Sequence, residues 1–171
     1  MNKMDPLTVI SGGQTGVDQL GLKIAKELNL ATGGWAPKGW MTEAGSAEAL
    51  LRSYGLKEHS SSDYPARTEA NVRAADLTLI FSDNLGPGSK LTIRLCKKYG
   101  KPYMLWPLAH DLNGRDVKVV NIAGTRSISA ADLERYSDNI RACLSSLKMS
   151  HLQPSARNDD SHLKSDPMSS S

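Results

Sequence analysis

The chain has no apolar run of the roughly 18 residues that a membrane helix needs. Its opening stretch, MNKMDPLTV, lacks the apolar core of a secretory signal. Both absences point to a cytoplasmic protein that meets no membrane. Cysteine is scarce: Cys96 and Cys143 stand far apart, with no CxxC and no Cys/His cluster. No metal site is therefore expected, and both cysteines read as small buried residues in a reducing compartment. One-signed charge is lacking too. The net charge is +3, but the lysines and arginines are scattered and often stand beside acids. They do not form the cluster or stripe that a nucleic-acid partner calls for, and a small anionic ligand suits the balance better. Two nucleotide fingerprints are missing, the P-loop GxxxxGK[ST] and the GxGxxG of dinucleotide folds. ATP hydrolysis and hydride transfer lose ground accordingly.

What remains is a length of 171 residues, enough for one domain with a real core. Strand-like and helix-like segments alternate. Leu7–Ser11 reads as a strand, and Val17, Leu20, Ile24, Ala25 and Leu28 recur at helical spacing behind it. A short strand is expected over 31–37, a loop at 37–40, a short helix within 42–54, a weak strand over 56–60 and a polar loop over 61–65. A helix follows over 67–75. LTLIF, Leu77–Phe81, is a continuous apolar run of strand length, the mark of a strand buried on both faces. A helix carrying Leu91, Leu95 and Cys96 is expected to stop near Gly100, followed by strands in PYMLWPL and VKVVNIAG. An amphipathic helix over 129–147 closes the fold, with Ser129 as N-cap and Asp132 in its first turn. The alternation implies an α/β domain over 1–149 with an open, mostly parallel sheet and right-handed crossovers. Residues 150–171 are polar and proline-containing and read as a disordered tail. His151 and His162 fall in it without further ligands for a metal.

Two glycine turns carry the chemistry. The first, SGGQTG, leaves the first strand and opens a helix, where free N–H groups and the positive end of the helix dipole favour an anion. Gly12, Gly13 and Gly16 bring bare backbone to a phosphate, and Ser11, Gln14 and Thr15 add donors. The second, GPGSKLT, repeats this after LTLIF, with Gly88, Ser89 and Thr92. If the two strands are neighbours, the turns converge on one cleft at the strand ends. A third group lies in ARTEAN. On a helix Arg67 and Asn71 share a face and Glu69 lies roughly opposite. Either this is a solvated helix, or its start faces the cleft, with Arg67 on a phosphate or carboxylate and Glu69 on a sugar hydroxyl. Asp18 either orients the first loop by accepting backbone N–H bonds or contacts the ligand.

GGQTGVDQLGL, GGWAPKGW, YPARTEANVRAADLTLIF, GPGSKLT, KPY and VVNIAGTRSI occur together and in order. In this the chain resembles the family named "putative molybdenum carrier", the circularly permuted YpsA-related branch of the SLOG superfamily, over roughly Leu7–Leu147. The resemblance implies a Rossmann-like fold akin to the LOG, or lysine-decarboxylase-like, proteins, with helices on both faces of the sheet. It implies a cleft for a phosphate-bearing nucleotide or nucleotide derivative. Molybdenum cofactor is one ligand that the family name suggests, and no cofactor is required. By this resemblance the ligand loops are Gly12, Gly13, Gln14, Thr15, Gly16 and Asp18, then Lys38 and Gly39, then Arg67, Glu69 and Asn71, then Gly88, Ser89 and Thr92.

The chain departs from the pattern at Pro87, which removes a donor. It departs again where LOG enzymes carry the Glu of PGGxGTxxE, since Ile93 and Arg94 occupy that region. A sensor or carrier is the leading expectation. The rival is a hydrolase of nucleotide N-glycosidic bonds, with Glu69 or Asp18 as its catalytic carboxylate. An interaction module with a degenerate pocket is the third. A homodimer or homotetramer is expected.

Overall fold

The computed structural model describes residues 6–106, 112 and 115–152. The opening strand and helix are present as β1 (Thr8–Ile10) and α1 (Val17–Glu27). Val17, Leu22, Ile24 and Ala25 of α1 are buried.

The single strand expected over 31–37 is split in two. β2 (Ala31–Gly33) joins β1, while β3 (Trp35–Ala36) pairs with β6 (Lys57–Glu58) in a separate ribbon. Gly34 is the break. Its φ is 125°, and a Cβ there would lie 2.2 Å from the Ser11 carbonyl oxygen, so the chain turns directly against the exit of β1. The helix expected within 42–54 begins late. A hairpin of β4 (Met41–Thr42) and β5 (Gly45–Ser46) comes first, and α2 covers only Glu48–Ser53. The Thr42 hydroxyl donates to the Gly45 carbonyl at 2.7 Å and accepts the Ala44 N–H at 3.1 Å. This local bonding favours a turn over a helix.

α3 (Tyr64–Ala74) starts three residues earlier than expected, inside the supposed polar loop. Pro65 sits in its first turn, where a missing N–H breaks no helical bond. β7 (Leu77–Phe81) is buried at every position, as its apolar run foretells. It is followed by α4 (Pro87–Lys98), β8 (Tyr103–Leu105), β9 (Val119–Gly124) and α5 (Ala130–Leu152). Ser129 caps α5, its hydroxyl accepting the Asp132 N–H at 3.2 Å. The helix continues through residues 150–152, which are therefore helical rather than tail. Residues 153–171, with His162 among them, lie outside the described residues, as does the end of PYMLWPL.

The main sheet is five-stranded and parallel, in the order β2-β1-β9-β7-β8. The last strand in sequence thus stands at its centre. Right-handed crossovers then fix the layers. β1→β2 and β7→β8 step in opposite directions, so α1 and α4 fall on opposite faces. Helix α5 packs on α1, and α3 packs on α4. The larger core joins Val9, Leu79, Phe81, Val120 and Ile122 of the sheet to Ile24 of α1 and Ile140 and Leu144 of α5. Val72, Leu95 and Cys96 form a smaller core under α3 and α4. This is the α/β architecture expected, with helices on both faces. Among the described residues no helix is long and apolar enough to cross a membrane.

Candidate anion-binding cleft

The strand order corrects one condition. β1 and β7 are not neighbours, because β9 separates them. The two glycine turns nonetheless reach the same cleft, since the parallel strands all end on one side. The cleft is lined by Gly12, Gln14 and Asp18 from the first turn and by Gly88, Ser89 and Thr92 from the second. Tyr64, Arg67 and Asn71 of α3 form one wall, Asn121 lies within β9, and Gly124 and Arg126 lie at and beyond its end. The enclosed space is about 80 Å³. On the order of 10–15 Å³ is needed per water by this measure, so the inner part of this open cleft has room for an oxoanion.

Most of the backbone donors of SGGQTG are already engaged within the protein. The Gly13 N–H goes to Ser11 Oγ at 3.2 Å, and the Gln14 N–H to Asp18 Oδ2 at 3.2 Å. The Thr15 N–H goes to Gln14 Oε1 at 3.0 Å, and the Val17 N–H to the Thr125 carbonyl at 3.0 Å. Gly16, with φ 84°, presses on that same carbonyl, and a Cβ would come within 2.3 Å of it. Gly13 turns its bare side to Leu51 and Leu56, away from the cleft. Gly12 is the glycine that faces the site. A Cβ there would stand 1.4 Å from Arg67 Nη1 and 3.0 Å from Asp18 Oδ2. The bare backbone of this loop makes room for a guanidinium.

That guanidinium is the central feature. Arg67 is 6% exposed. Its Nη1 donates to Asp18 Oδ2 at 3.4 Å, and its Cζ lies 4.9 Å from the centre of the Tyr64 ring. Its Nε is buried with no hydrogen-bond partner. Nε and Nη2 form the edge that grips two oxygens of a carboxylate or phosphate in parallel. An orphaned donor on that edge is costly unless something supplies an acceptor. Burial pushes the Asp18 carboxyl above the usual range, against the pull of Arg67, the Gln14 N–H and Arg126.

A second arginine reinforces the charge. Arg126 lies 4.5 Å from the Tyr64 ring centre and 3.4 Å from Glu43 Oε1 of the β4–β5 hairpin. The α4 turn adds the amides of Gly88 and Ser89, which lie in the first helical turn and have no acceptor within the helix. Two arginines and a helix N-terminus thus face one aspartate.

Other residues singled out in the sequence take supporting places. Asn71 is committed to tying α3 to β3, accepting from the Trp35 N–H at 2.9 Å and donating to the Trp35 carbonyl at 3.1 Å. The Thr92 hydroxyl donates to the Gly88 carbonyl at 3.0 Å. Ser11, Thr15 and Gly16 shape the first loop without lining the cleft, and Lys38 and Gly39 lie exposed outside it. Glu69 accepts a hydrogen bond from Tyr99 near the far end of α4 and does not line the cleft. Tyr64, Asn121 and Arg126 are the residues that sequence reasoning passed over. Asn121 had a signal, being a buried amide in an otherwise apolar strand that bonds Thr78 at 3.4 Å. Arg126 stood in the motif VVNIAGTRSI but outside any glycine turn.

Fold and site together define a class: a parallel α/β protein with an arginine-lined cleft at the carboxyl ends of its strands. The family follows from comparison with known proteins. The chain belongs to the circularly permutated YpsA SLOG family, whose profile matches residues 9–144. Among solved structures it is similar to a protein titled "Putative molybdenum carrier protein" from Syntrophus aciditrophicus. The identity is 32% and the TM-score 0.70, over 81% of this chain and 94% of that one. The GDP complex of the signal recognition particle 54 kDa protein from Aeropyrum pernix matches at 14% identity and TM-score 0.32, over 86% of this chain and 28% of that one, too low to carry an argument. Curated proteins return no match.

Proposed function

We propose that the protein binds a small nucleotide or nucleotide-derived molecule through a phosphate or equivalent oxoanion, as a sensor or carrier. The buried Arg67 Nε without an acceptor carries this reading. A ligand oxygen would satisfy it once the guanidinium turned slightly toward the cleft, which Arg126, Gly88 and Ser89 also line. Membership of the SLOG family supports a small-molecule ligand. Molybdenum cofactor, suggested by the neighbour's title, fits at its phosphate. Among the described residues no cluster of His, Cys, Asp or Glu could hold a metal, so the protein's part would be to grip the anion. Binding is favoured over glycosidic hydrolysis because Glu69 bonds Tyr99 outside the cleft, while Asp18 is engaged by Arg67 and the Gln14 N–H.

The test is thermal stabilisation by AMP, NAD and ADP-ribose, with liberated base assayed alongside. A ligand at 100 times its dissociation constant adds about 2.7 kcal/mol. Arg67→Ala should abolish the shift. Stabilisation without turnover fits the binder, release of free base the hydrolase, and neither an interaction module. We propose besides that the protein works in the cytoplasm as a homodimer or homotetramer, the assembly being checked by sedimentation.

A further inference from the structure

We propose that the cleft takes up its oxoanion together with one proton, and that Asp18 is the residue that holds the proton. The inference rests on the oxoanion reading above and specifies which charge state the site accepts. Its ground is the sharing of one cation. Asp18 Oδ2 and Arg67 Nη1 lie together over the bare face of Gly12, and both residues line the enclosed space. An oxoanion bound by Arg67 therefore sits on the same guanidinium as a buried carboxylate. Two anions would compete for one charge, between two buried side chains.

The Asp18–Arg67 contact is a loose one. At 3.4 Å it exceeds the roughly 2.7–2.9 Å of a strong charge-assisted bond. The groups that face Asp18 do not remove the conflict. From α3 comes Arg67. From beyond β9 comes Arg126, itself paired with Glu43 at 3.4 Å. The first loop supplies the neutral Gln14 amide, and α4 the neutral Ser89 and Thr92. Among the described residues that line the cleft Asp18 is the only acid, so a proton taken up there removes the one negative charge that competes with the ligand for Arg67. Burial already raises the affinity of this carboxyl for a proton. Drawing Arg67 toward a ligand raises it further, and by linkage protonation must strengthen anion binding by the same factor.

Sulfate is the probe, because it does not itself titrate between about pH 5 and pH 8, so any pH dependence belongs to the protein. For the unaltered protein, sulfate affinity should rise toward about tenfold for each pH unit of acidification. Calorimetry in two buffers of different ionisation heat should count close to one proton taken up per sulfate. Asp18→Asn keeps an acceptor for the Gln14 N–H but carries no charge. It should bind sulfate with little dependence on pH, and at about pH 8 at least tenfold more tightly than the unaltered protein. Sulfate binding that is flat with pH in the unaltered protein, or a slope that survives Asp18→Asn, overturns the proton coupling and leaves the oxoanion reading standing. Failure of sulfate and inorganic phosphate to bind either protein at any pH overturns both. The proton count on the unaltered protein decides the matter even if Asp18→Asn does not fold.

Discussion

Arg67→Met isolates the charge of the central guanidinium. Methionine retains an unbranched stem against Tyr64 and fills similar space, so packing is largely conserved. What disappears is the cation 3.4 Å from a buried carboxylate. Breaking a buried pair on one side costs about 3–5 kcal/mol when the remaining charge must stay. Asp18 can escape by protonating, and this sets a ceiling. Protonating an aspartate of ordinary pKa about 3.9 costs about 4 kcal/mol at pH 7 and about 1.5 kcal/mol at pH 5. The unaltered protein already bears part of this penalty, because its Asp18 pKa is raised by burial, so these figures bound the difference from above.

The sign follows from the direction of the shift. A folded-state pKa raised above the unfolded value means that the native state holds the proton more tightly. Stability is therefore lost as pH rises through the interval between the two values. The variant, with its pKa pushed higher still, loses over a wider interval. Urea unfolding at both pH values reads this directly, and the gap between variant and parent should widen from acid to neutral. Adding Asp18→Asn should close most of it. A stability loss equal at the two pH values, or one unchanged by Asp18→Asn, would refute the claim that Asp18 is the group Arg67 holds in charge balance.

Gly12→Ala places a methyl where Arg67 Nη1 now lies, 1.4 Å away. The flexible arginine should yield and leave Asp18, and thermal-shift titration should show oxoanion binding lost from a protein that still folds. Gly16→Ala meets a rigid obstacle, the Thr125 carbonyl at 2.3 Å, at φ 84°. It should lower stability by about 3 kcal/mol or more, measured by urea unfolding. Glu69→Gln changes a side chain bonded to Tyr99 outside the cleft. It should leave ligand affinity within about twofold in a calorimetric titration, since it removes no contact with the ligand; a large loss would bring Glu69 back into the site.

Much of the fold is legible in the sequence because periodicity reports which faces are buried. LTLIF could only be an interior strand, and α1 announces itself by its spacing. What escapes is decided by single residues. Gly34 splits a strand because its backbone abuts Ser11, a contact no local pattern contains. Thr42 replaces the start of a helix by a hairpin with two hydrogen bonds. The site divides in the same way. The sequence marks Arg67, Asp18 and both glycine turns, yet it cannot say that the amides of Gly13, Gln14 and Thr15 are taken by nearby side chains or that Gly13 looks into a core. It leaves Arg126 unmarked as well, because that residue joins the cleft only through the position of β9 in the sheet.

The position of β9 also explains why the site lies where it does. In the described chain β9 is followed by α5. α5 lies on the α1 face, and the strand beside β9 on that side is β1, at the opposite end of the sequence. Joining the end of α5 to β1 and cutting between β2 and β7 leaves the sheet intact and changes only the numbering. The strands then read β7, β8, β9, β1, β2, and the sheet order becomes 2-1-3-4-5, a common doubly wound arrangement. Its switch point falls between the first and third strands, here β7 and β9. In such sheets the ligand lies outside the carboxyl ends at that point, with phosphate at the turn that follows the first strand. That turn is GPGS at the start of α4, whose Gly88 and Ser89 amides have no acceptor within the helix. The turn that follows the fourth strand of the reordered sheet is SGGQTG, half of whose amides bond Ser11, Gln14 and Asp18. The two glycine turns thus differ in what their backbones do. The one after β7 leaves the Gly88 and Ser89 amides without an acceptor in their helix, and the one after β1 shapes the floor on which Arg67 and Asp18 meet.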